Sequence, residues 1–311
     1  MVECNLEELT NKSANKSYLL SAIVPINNAN QNINALSKWL TEVKNFSLEV
    51  IMVHDIANED ICDRLNSLVK SLDSLSVFLI NGKYGSPGLT RNAGLRLATG
   101  KWITFWDCDD LPLIKNIFSA IYEADRLTDV LVGKFLTRPS FDKSTQELKH
   151  FDSSFLSVCM NPGIWRMVFR QHIVKNQTFK RFSLAEDQLF LSQIRYADLV
   201  STYSQKTFYE YRIGVVGQLS KRRENLNQLA EVSKLMLYSL KQFQSEKSHF
   251  FNLSLILRQQ MTLGKFGNFR QRLLALSFVV RLMLANKFLH FATSMKIIIM
   301  IIQNFRVNKL A

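Results

Sequence analysis

The chain has 311 residues, 47% of them hydrophobic, which is enough apolar material for one large domain with an appendage and argues against extended disorder. The net charge of +13, taken over the whole chain, suggests a nucleic-acid partner, but the charge is unevenly distributed. Residues 1–246 carry 29 Lys and Arg against 26 Asp and Glu, whereas residues 247–311 carry 10 basic residues and no acidic one. Because this excess lies in the most apolar third, and nucleic-acid surfaces are polar, nucleic-acid binding is disfavoured.

The cysteines and the N-terminus indicate the compartment. The four cysteines are scattered, and none has a His or Cys neighbour at zinc-ligand spacing, which favours a reducing environment. Segment 1–17 is acidic where a secretory signal needs positive charge followed by an apolar stretch. We therefore expect a leader over residues 1–17, rather than a signal peptide, and a cytoplasmic protein.

Short apolar runs alternate with helical periodicity over the first hundred residues. The runs are rich in β-branched and aromatic residues, which is typical of strands buried on both faces of a parallel sheet. Apolar residues recur between them at helical spacing, so the pattern predicts an α/β layer structure. The predicted strands are 19–26, 49–54, 76–80 and 102–106, and the first two predicted helices lie within 31–43 and 60–72.

A third helix has a clear start, because Ser86 can cap it and Pro87 suits its first position. Farther on, the alternation loosens into a predicted strand at 129–136 and a helix at 185–197. From residue 224 onward only helices are predicted. We therefore divide the chain into the leader, an α/β domain over 18–223 and a helical extension over 224–311.

An acidic cluster follows the fourth predicted strand. Asp107, Asp109 and Asp110 lie at its carboxyl end, which is where ligands bind in open α/β sheets. Asp107 and Asp109 are separated by one residue and can share a ligand, and hard cations such as Mg²⁺ or Mn²⁺ prefer carboxylate oxygens. Since Asp is also common in turns, a strand end closed by acidic turn residues remains the alternative.

Segment 88–110, which reads GLTRNAGLRLATGKWITFWDCDD, gives this cluster its context. It resembles the "ARN-x-G" helix, the "A-x-G" turn and the "D-x-D-D" strand end of family-2 glycosyltransferases. Segments 21–27 and 49–55 are similar to that family's first two strands, and the resemblance covers roughly residues 18–215. It implies an inverting, nucleotide-sugar-dependent enzyme with a GT-A-like fold, in which a mixed, mainly parallel, Rossmann-like sheet is flanked by helices and followed here by a helical extension.

The resemblance also implies roles for individual residues at the nucleotide-sugar site. Asn27 would line the nucleotide cleft, Asp55 would contact the nucleobase, and Arg91 would help to hold the nucleotide. Asp107 and Asp109 would place a divalent metal, Mn²⁺ or Mg²⁺, on the diphosphate, which the metal neutralises as it leaves. The alternatives are a turn role for Asp55 and a solvated helix position for Arg91.

One residue departs from the family pattern, and a second motif agrees with it. His54 stands where the family often has an acidic residue. Glu186 and Asp187 match the family's "E-D" motif, which implies that Asp187 is the base that deprotonates the acceptor hydroxyl and that Glu186 orients the acceptor. The alternative is that both stabilise a helix N-terminus through its dipole. Trp165 suits stacking on an acceptor sugar, although a core tryptophan is equally consistent.

The basic C-terminal region indicates a partner. Residues 270–285 and 287–306 mix apolar residues with Lys and Arg, and their uncharged runs are shorter than a membrane span requires. Such helices suit the headgroup region of an anionic leaflet, where lipid-linked acceptors are found. A helical subdomain packed against protein is the alternative. The cluster Lys221, Arg222 and Arg223 suits either phosphate binding or a solvated surface.

The combined prediction is a cytoplasmic glycosyltransferase, peripheral to the inner face of the membrane, that transfers a sugar from a nucleoside diphosphate to a glycan or lipid-linked hydroxyl. The resemblance implies a bacterial surface glycan as the product. The competing hypothesis is a catalytically inactive relative that binds nucleotide or serves as a membrane scaffold. It is motivated by His54 and by the lack of a histidine metal ligand in segment 209–223.

Overall fold

The computed structural model describes the backbone of residues 17–27, 33–55, 59–72, 76–139, 148–214, 226–240 and 245–285, and the side chains of the same residues except 27, 33, 34, 59–61 and 281–285. Within these ranges the strands are β1 (Leu20–Asn27), β2 (Leu48–Asp55), β3 (Val77–Gly82), β4 (Trp102–Phe105), β5 (Leu111–Pro112), β6 (Val130–Pro139), β7 (Lys149–Phe151), β8 (Met167–Arg170) and β9 (Ser201–Ile213). The helices are α1 (Ile33–Leu40), α2 (Glu59–Ser71), α3 (Pro87–Leu97), α4 (Ile114–Glu123), α5 (Phe155–Met160), α6 (Gln171–Val174), α7 (Glu186–Gln193), α8 (Leu226–Leu240), α9 (Glu246–Phe266) and α10 (Phe269–Ala285).

These elements fall into two compact units, each discontinuous along the chain. Every described strand belongs to the first unit, together with α1 to α4 and α6. Segments 155–162 and 182–199 join the C-terminal helices in the second unit, which therefore contains α5 and α7 to α10. The domain boundary near residue 223 stays a prediction.

The first unit is built on a mixed sheet with the strand order β3-β2-β1-β4-β8-β6-β9-β5, and β7 pairs with β6 at the side. Strands β3, β2, β1 and β4 are mutually parallel. Beyond β4 the sheet becomes mixed, since β8 is antiparallel to both β4 and β6, and β6 is parallel to β9. The parallel half explains the apolar runs, because β1 and β2 are buried along nearly their whole lengths. The predicted α/β architecture with a C-terminal helical region is confirmed.

The predicted elements match the observed ones closely, with one shorter helix. Strands β1 to β4 and β6 lie at the predicted positions, and Ser86 caps α3 by accepting a hydrogen bond from the Leu89 amide at 3.4 Å. The helix expected over 185–197 instead ends at Gln193 and is followed by a 3₁₀ turn at Tyr196–Asp198. Arg195 adopts a left-handed conformation with φ of 54°, which ends the regular helix.

Two glycines of the family-like segment are required by close packing on β1. A Cβ on Gly94 would lie 2.6 Å from Cγ2 of Ile23, so the missing side chain lets α3 approach the sheet. A Cβ on Gly100 would lie 2.6 Å from the backbone nitrogen of Ser21. The Gly100 amide also donates to Ser21 Oγ at 2.7 Å, next to the buried carboxylate of Glu49. The spacing of the "A-x-G" turn is therefore set by backbone contact with β1.

Gly100→Ala is expected to lower the free energy of unfolding by about 1–3 kcal/mol, because the added methyl meets backbone that cannot rotate away. The matched control is Gly264→Ala, since a Cβ there meets nothing within 4 Å and lies inside α9. That control should raise stability by about 0.5–1 kcal/mol through helix propensity. Urea unfolding followed by circular dichroism measures both, and an unchanged midpoint for Gly100→Ala would contradict the packing explanation.

The second unit is organised around α9, whose side chains are buried along most of its length. It packs against α8 and α10, and its start is capped by Ser245, which accepts from the Ser248 amide at 3.0 Å. Among the helices described, none is long and apolar enough to cross a membrane. Segment 287–306 lies outside the described residues.

Candidate functional site

The three carboxylates after β4 differ in burial. Asp110 is fully buried, and its Oδ1 accepts a hydrogen bond from the Arg212 amide of β9 at 2.7 Å. Burial, with the charges of Asp109 and Asp107, raises the pKa of Asp110 well above its ordinary value. Asp107 and Asp109 remain partly exposed. The cluster therefore has one buried carboxyl group tied to the sheet and two carboxylates that are partly exposed.

Arg91 and Asp107, which the resemblance placed at one site, form an ion pair. Nη2 of Arg91 donates to Oδ1 of Asp107 at 2.8 Å, and their side chains are 6% and 29% exposed. The Arg91 guanidinium also lies 5.7 Å from the ring centroid of Phe179. Arg91 is thus a buried, fixed cation rather than the solvated helix residue of the alternative.

Asn92, beside Arg91, explains how Phe179 reaches this position. Its Nδ2 donates to the Phe179 carbonyl at 2.9 Å, and its Oδ1 accepts from the Phe179 amide at 2.8 Å. The two bonds pair both polar atoms of a buried side-chain amide with this backbone. Of the "R-N" pair of α3, Arg91 therefore holds the Asp107 carboxylate and Asn92 holds the backbone of Phe179.

Tyr209 is a site residue that the sequence analysis does not identify. Its buried hydroxyl accepts a hydrogen bond from the Asp107 amide at 2.8 Å. Burial and the charges of Asp110 and Asp107 raise the pKa of Tyr209 well above its ordinary value, so the phenol stays neutral. The period-two spacing of Tyr209 and Tyr211 is the only local sign that this segment is a strand rather than the start of a loop.

Trp165 lies half-buried beside this tyrosine pair. Its ring stacks on Tyr209 with centroids 4.7 Å apart and on Tyr211 at 5.3 Å, and Phe135 meets it edge-on at 4.8 Å. These contacts give Trp165 a packing role, and the part of the indole that is still exposed leaves its predicted role in acceptor binding open.

At the end of β2, Asp55 holds the loop that precedes α3. Its two carboxylate oxygens accept from the backbone amides of Tyr84 and Gly85, each at 2.7 Å. Asn27 is in register with Asp55 on the neighbouring strand β1, so the two share one edge of the sheet. The side chain of Asn27 lies outside the described residues.

His54 turns into the interior. Its Nδ1 lies 3.1 Å from Oδ1 of Asn81 and 3.5 Å from Sγ of Cys62. Burial lowers the pKa of His54, which keeps the ring neutral at pH 7, although Asn81 and Asp55 oppose this shift. The departure from the family's acidic residue therefore replaces a charge with a buried neutral ring.

Glu186 and Asp187 open α7 in the second unit. Glu186 is buried, whereas Asp187 is partly exposed and its Oδ1 accepts from the Gln188 amide at 2.8 Å. The preceding residue, Ala185, has φ of 63°, a left-handed conformation that costs a non-glycine residue about 1 kcal/mol. The cluster Lys221, Arg222 and Arg223 lies outside the described residues.

Comparison with known proteins decides the family. Residues 21–185, about half of the chain, match the family model described as glycosyl transferase family 2. The chain belongs to glycosyltransferase family 2. The family predicted from the resemblance is thereby confirmed.

Two relatives are similar in sequence to parts of this family-2 protein. Poly(ribitol-phosphate) beta-N-acetylglucosaminyltransferase TarP of Staphylococcus aureus strain N315 is 27% identical over 211 residues, which are 63% of this chain and 62% of TarP. An uncharacterised glycosyltransferase of Rickettsia felis is 33% identical over 110 residues, covering 35% of this chain and 17% of that protein. The chain thus spans less than two thirds of either relative.

Solved structures show the same fold. Residues 1–349 of S. aureus TarS in complex with UDP-GlcNAc align with a TM-score of 0.61 at 19% identity, covering 81% of this chain and 77% of that chain. A mannosyltransferase from Pyrobaculum calidifontis in complex with GDP-Man and Mn²⁺ aligns with a TM-score of 0.56 at 13% identity, covering 92% and 86%. The family-2 chain therefore has the GT-A-like fold that was predicted.

In this family-2 chain, Asp107 and Asp109 fit a divalent cation whose other ligands come from the substrate and water. Among the residues that the structure describes, no group of three or more His, Cys, Asp and Glu side chains is arranged to hold a metal ion. Mg²⁺ and Mn²⁺ sites of nucleotide enzymes often use one or two carboxylates, with phosphate and water as the other ligands. Asp107 and Asp109, partly exposed beside the buried Asp110, supply such a pair.

Proposed function

We propose that this chain transfers a sugar from a nucleoside-diphosphate sugar to a glycan or lipid-linked hydroxyl, with inversion at the anomeric carbon. The observation that carries the proposal is the fixed Arg91–Asp107 pair, with Asp109 beside it, at the carboxyl end of β4 within a family-2 match. Ligands of open α/β sheets bind at this edge. An acidic cluster in which Arg91 already pairs with one carboxylate suits a ligand that combines a cation with a diphosphate.

On the donor side, Asn27 and Asp55 would bind the nucleoside. Asp55 has spare acceptor lone pairs while it holds the Tyr84 and Gly85 amides, so a nucleobase N–H can add to these bonds. Asp107 and Asp109 would hold Mn²⁺ or Mg²⁺, which when bound neutralises charge on the departing diphosphate. Arg91 would keep the Asp107 carboxylate in one orientation and add positive charge next to the leaving group.

On the acceptor side, we assign Asp187 as the base. The acceptor hydroxyl gives its proton to the Asp187 carboxylate while its oxygen forms the new bond to the anomeric carbon. The bond from that carbon to the diphosphate oxygen breaks with both electrons going to the diphosphate, so a single displacement inverts the configuration. Glu186, next to Asp187, would orient the acceptor, and the exposed part of Trp165 would stack on an acceptor sugar.

The test is release of nucleoside diphosphate from UDP-GlcNAc and GDP-Man, with Mn²⁺ and then with EDTA. A glycosyltransferase releases it from at least one nucleotide sugar, and EDTA stops the release. The competing hypothesis is a catalytically inactive nucleotide-binding relative or membrane scaffold, for which the neutral His54 is the supporting observation. That hypothesis predicts binding of a nucleotide without turnover of any nucleotide sugar.

We further propose that α10 docks on an anionic membrane surface, on the inner face of the cytoplasmic membrane. Phe269, Leu273, Leu276 and Val280 recur at helical spacing and are 78%, 51%, 63% and 45% exposed. The region from residue 247 onward has ten basic residues and no acidic one, so this part of the chain has a positive net charge. That combination suits helices lying in a headgroup region.

Leu276→Glu is expected to abolish co-sedimentation with vesicles that contain phosphatidylglycerol, because it places a negative charge in the apolar stripe. The matched control is Leu127→Glu, which alters an even more exposed leucine of the first unit. Vesicles of phosphatidylcholine alone should bind the parent protein weakly. Equal sedimentation of the parent and Leu276→Glu would contradict membrane docking through α10.

A further inference from the structure

The Glu186–Asp187 turn is held on both sides by the C-terminal helices. Before it, the Ser183 amide donates to Oε1 of Gln228 on α8 at 2.6 Å. After it, Nε2 of Gln259 on α9 donates to Oε1 of Gln188 at 3.1 Å. The family match ends at residue 185, so both supporting glutamines come from the chain beyond it.

Gln259 is itself fixed by a buried polar network. Its Oε1 accepts from Ser233 Oγ at 2.6 Å, and that hydroxyl accepts from Nε2 of Gln260 at 2.8 Å. All three side chains are buried, and a satisfied buried network allows few alternative rotamers. The amide of Gln259 therefore presents its N–H to Gln188 in one direction.

The turn needs such support, because it is strained. Ala185 is buried in a left-handed conformation directly before Glu186. Strained residues persist only when their surroundings hold them in place. Bonds at Ser183 and Gln188 bracket the strained residue and both acidic residues, so they fix the direction in which α7 begins.

Arg258, next to Gln259, is electrostatically linked to Asp187. Its guanidinium donates to the Met160 carbonyl. Burial lowers the pKa of Arg258, and the negative charge of Asp187 opposes that shift. The carboxylate of Asp187 is thus within electrostatic reach of the same stretch of α9 that contacts Gln188.

We propose that Gln259 is a positioning residue that fixes the orientation of the Asp187 carboxylate through Gln188, an inference that rests on the proposed role of Asp187 as the base. The C-terminal helices are then part of the catalytic apparatus and not only a docking surface. A base that is misplaced by a fraction of an ångström loses rate without losing donor affinity.

The test compares Gln259→Leu, Gln188→Leu and the double variant with the parent. Each should lower kcat by about ten- to a hundredfold, with the donor KM almost unchanged. The double variant should lose no more than either single one, because all three remove the same bond. Hydrogen exchange of the α7 amides should become faster in all three variants, which tests the bond independently of turnover.

The matched control is Asn252→Leu, another buried amide on α9, whose Nδ2 donates to the Ser248 carbonyl of the same helix at 2.8 Å. It should keep the parent kcat and the parent exchange of α7. If Gln259→Leu fails to fold, Gln188→Leu removes the same bond from a partly exposed position. Parent kcat in folded Gln188→Leu, or an equal loss in Asn252→Leu, would overturn the positioning role.

Asp187→Asn distinguishes the role of Asp187 as the base from the positioning role of Gln259. If it is inactive while the glutamine variants are fully active, only the positioning role fails. If Asp187→Asn keeps the parent turnover, the assignment of the base in the proposed function is wrong, and the positioning role is overturned with it.

Discussion

Asp187→Asn is expected to lower kcat by about 10²–10⁴-fold and to leave the donor KM nearly unchanged, because an amide cannot take the proton of the acceptor hydroxyl. The substitution keeps the shape of the side chain and its acceptor oxygen for the Gln188 amide. Loss of the charge at the start of α7 should cost only about 0.3–1 kcal/mol of stability. Initial-rate measurements with saturating acceptor and varied donor give kcat and the donor KM, and thermal unfolding gives the change in stability.

The control for this substitution is Glu246→Gln. Glu246 is an exposed acidic residue in the first turn of α9, so it has the helix-dipole role that is the alternative explanation for Asp187. Both variants should lose a similar, small amount of stability, and only Asp187→Asn should lose turnover. If Asp187→Asn also retains the parent kcat, the acidic pair merely stabilises the helix and the base lies elsewhere.

Asp109→Asn is expected to lower donor turnover by about a hundredfold and to raise the Mn²⁺ concentration needed for half-maximal rate, because a neutral amide is a weaker ligand for a hard cation. Asp109 is partly exposed, so the folded state should be almost as stable as that of the parent. Turnover measured against a Mn²⁺ titration checks both effects. The matched control is Asp63→Asn, an exposed aspartate on α2, which should leave the titration unchanged.

Asp107→Asn should differ from Asp109→Asn in one respect. It also replaces the charged acceptor of the buried Arg91 with a neutral amide oxygen, and a hydrogen bond between charged groups contributes about 1.5–3 kcal/mol to stability. Asp107→Asn should therefore lose both turnover and stability. If neither aspartate variant changes the response to Mn²⁺, the acidic cluster has a structural role and the metal hypothesis fails.

Local sequence patterns predicted the elements that depend on local chemistry. The buried runs of β1 and β2, the Ser86–Pro87 start of α3 and the helices after residue 224 follow from periodicity and capping. The pairing of Arg91 with Asp107 was not predicted as a contact, although both residues were assigned to one site through the family resemblance. This pairing depends on the packing of α3 against the sheet. That packing is possible because Gly94 has no Cβ to clash with Ile23.

The features that the sequence could not predict depend on contacts between distant segments. The Tyr209 hydroxyl reaches the Asp107 amide across 102 residues, and the Asp110 carboxylate reaches the Arg212 amide across the same separation. Nothing in either local sequence reports such a pairing, because β9 joins the sheet through β6 rather than through a neighbouring hairpin. The same reason applies to segment 182–199, which joins the C-terminal helices although it precedes β9 in the chain.

The most direct test of the proposed cation–diphosphate site is the binding of UDP and GDP. Binding is measured by thermal shift with Mn²⁺ and with EDTA, for the parent and for Asp109→Asn. A ligand at 100 times its dissociation constant stabilises the folded state by about 2.7 kcal/mol, which is readily measured as a shift in Tm. We expect at least one of the two nucleotides to raise the Tm of the parent only when Mn²⁺ is present, and Asp109→Asn to lose most of that shift. A shift that is equal with EDTA and in Asp109→Asn, or no shift with either nucleotide, would contradict the claim that the carboxylates after β4 bind a cation together with a diphosphate.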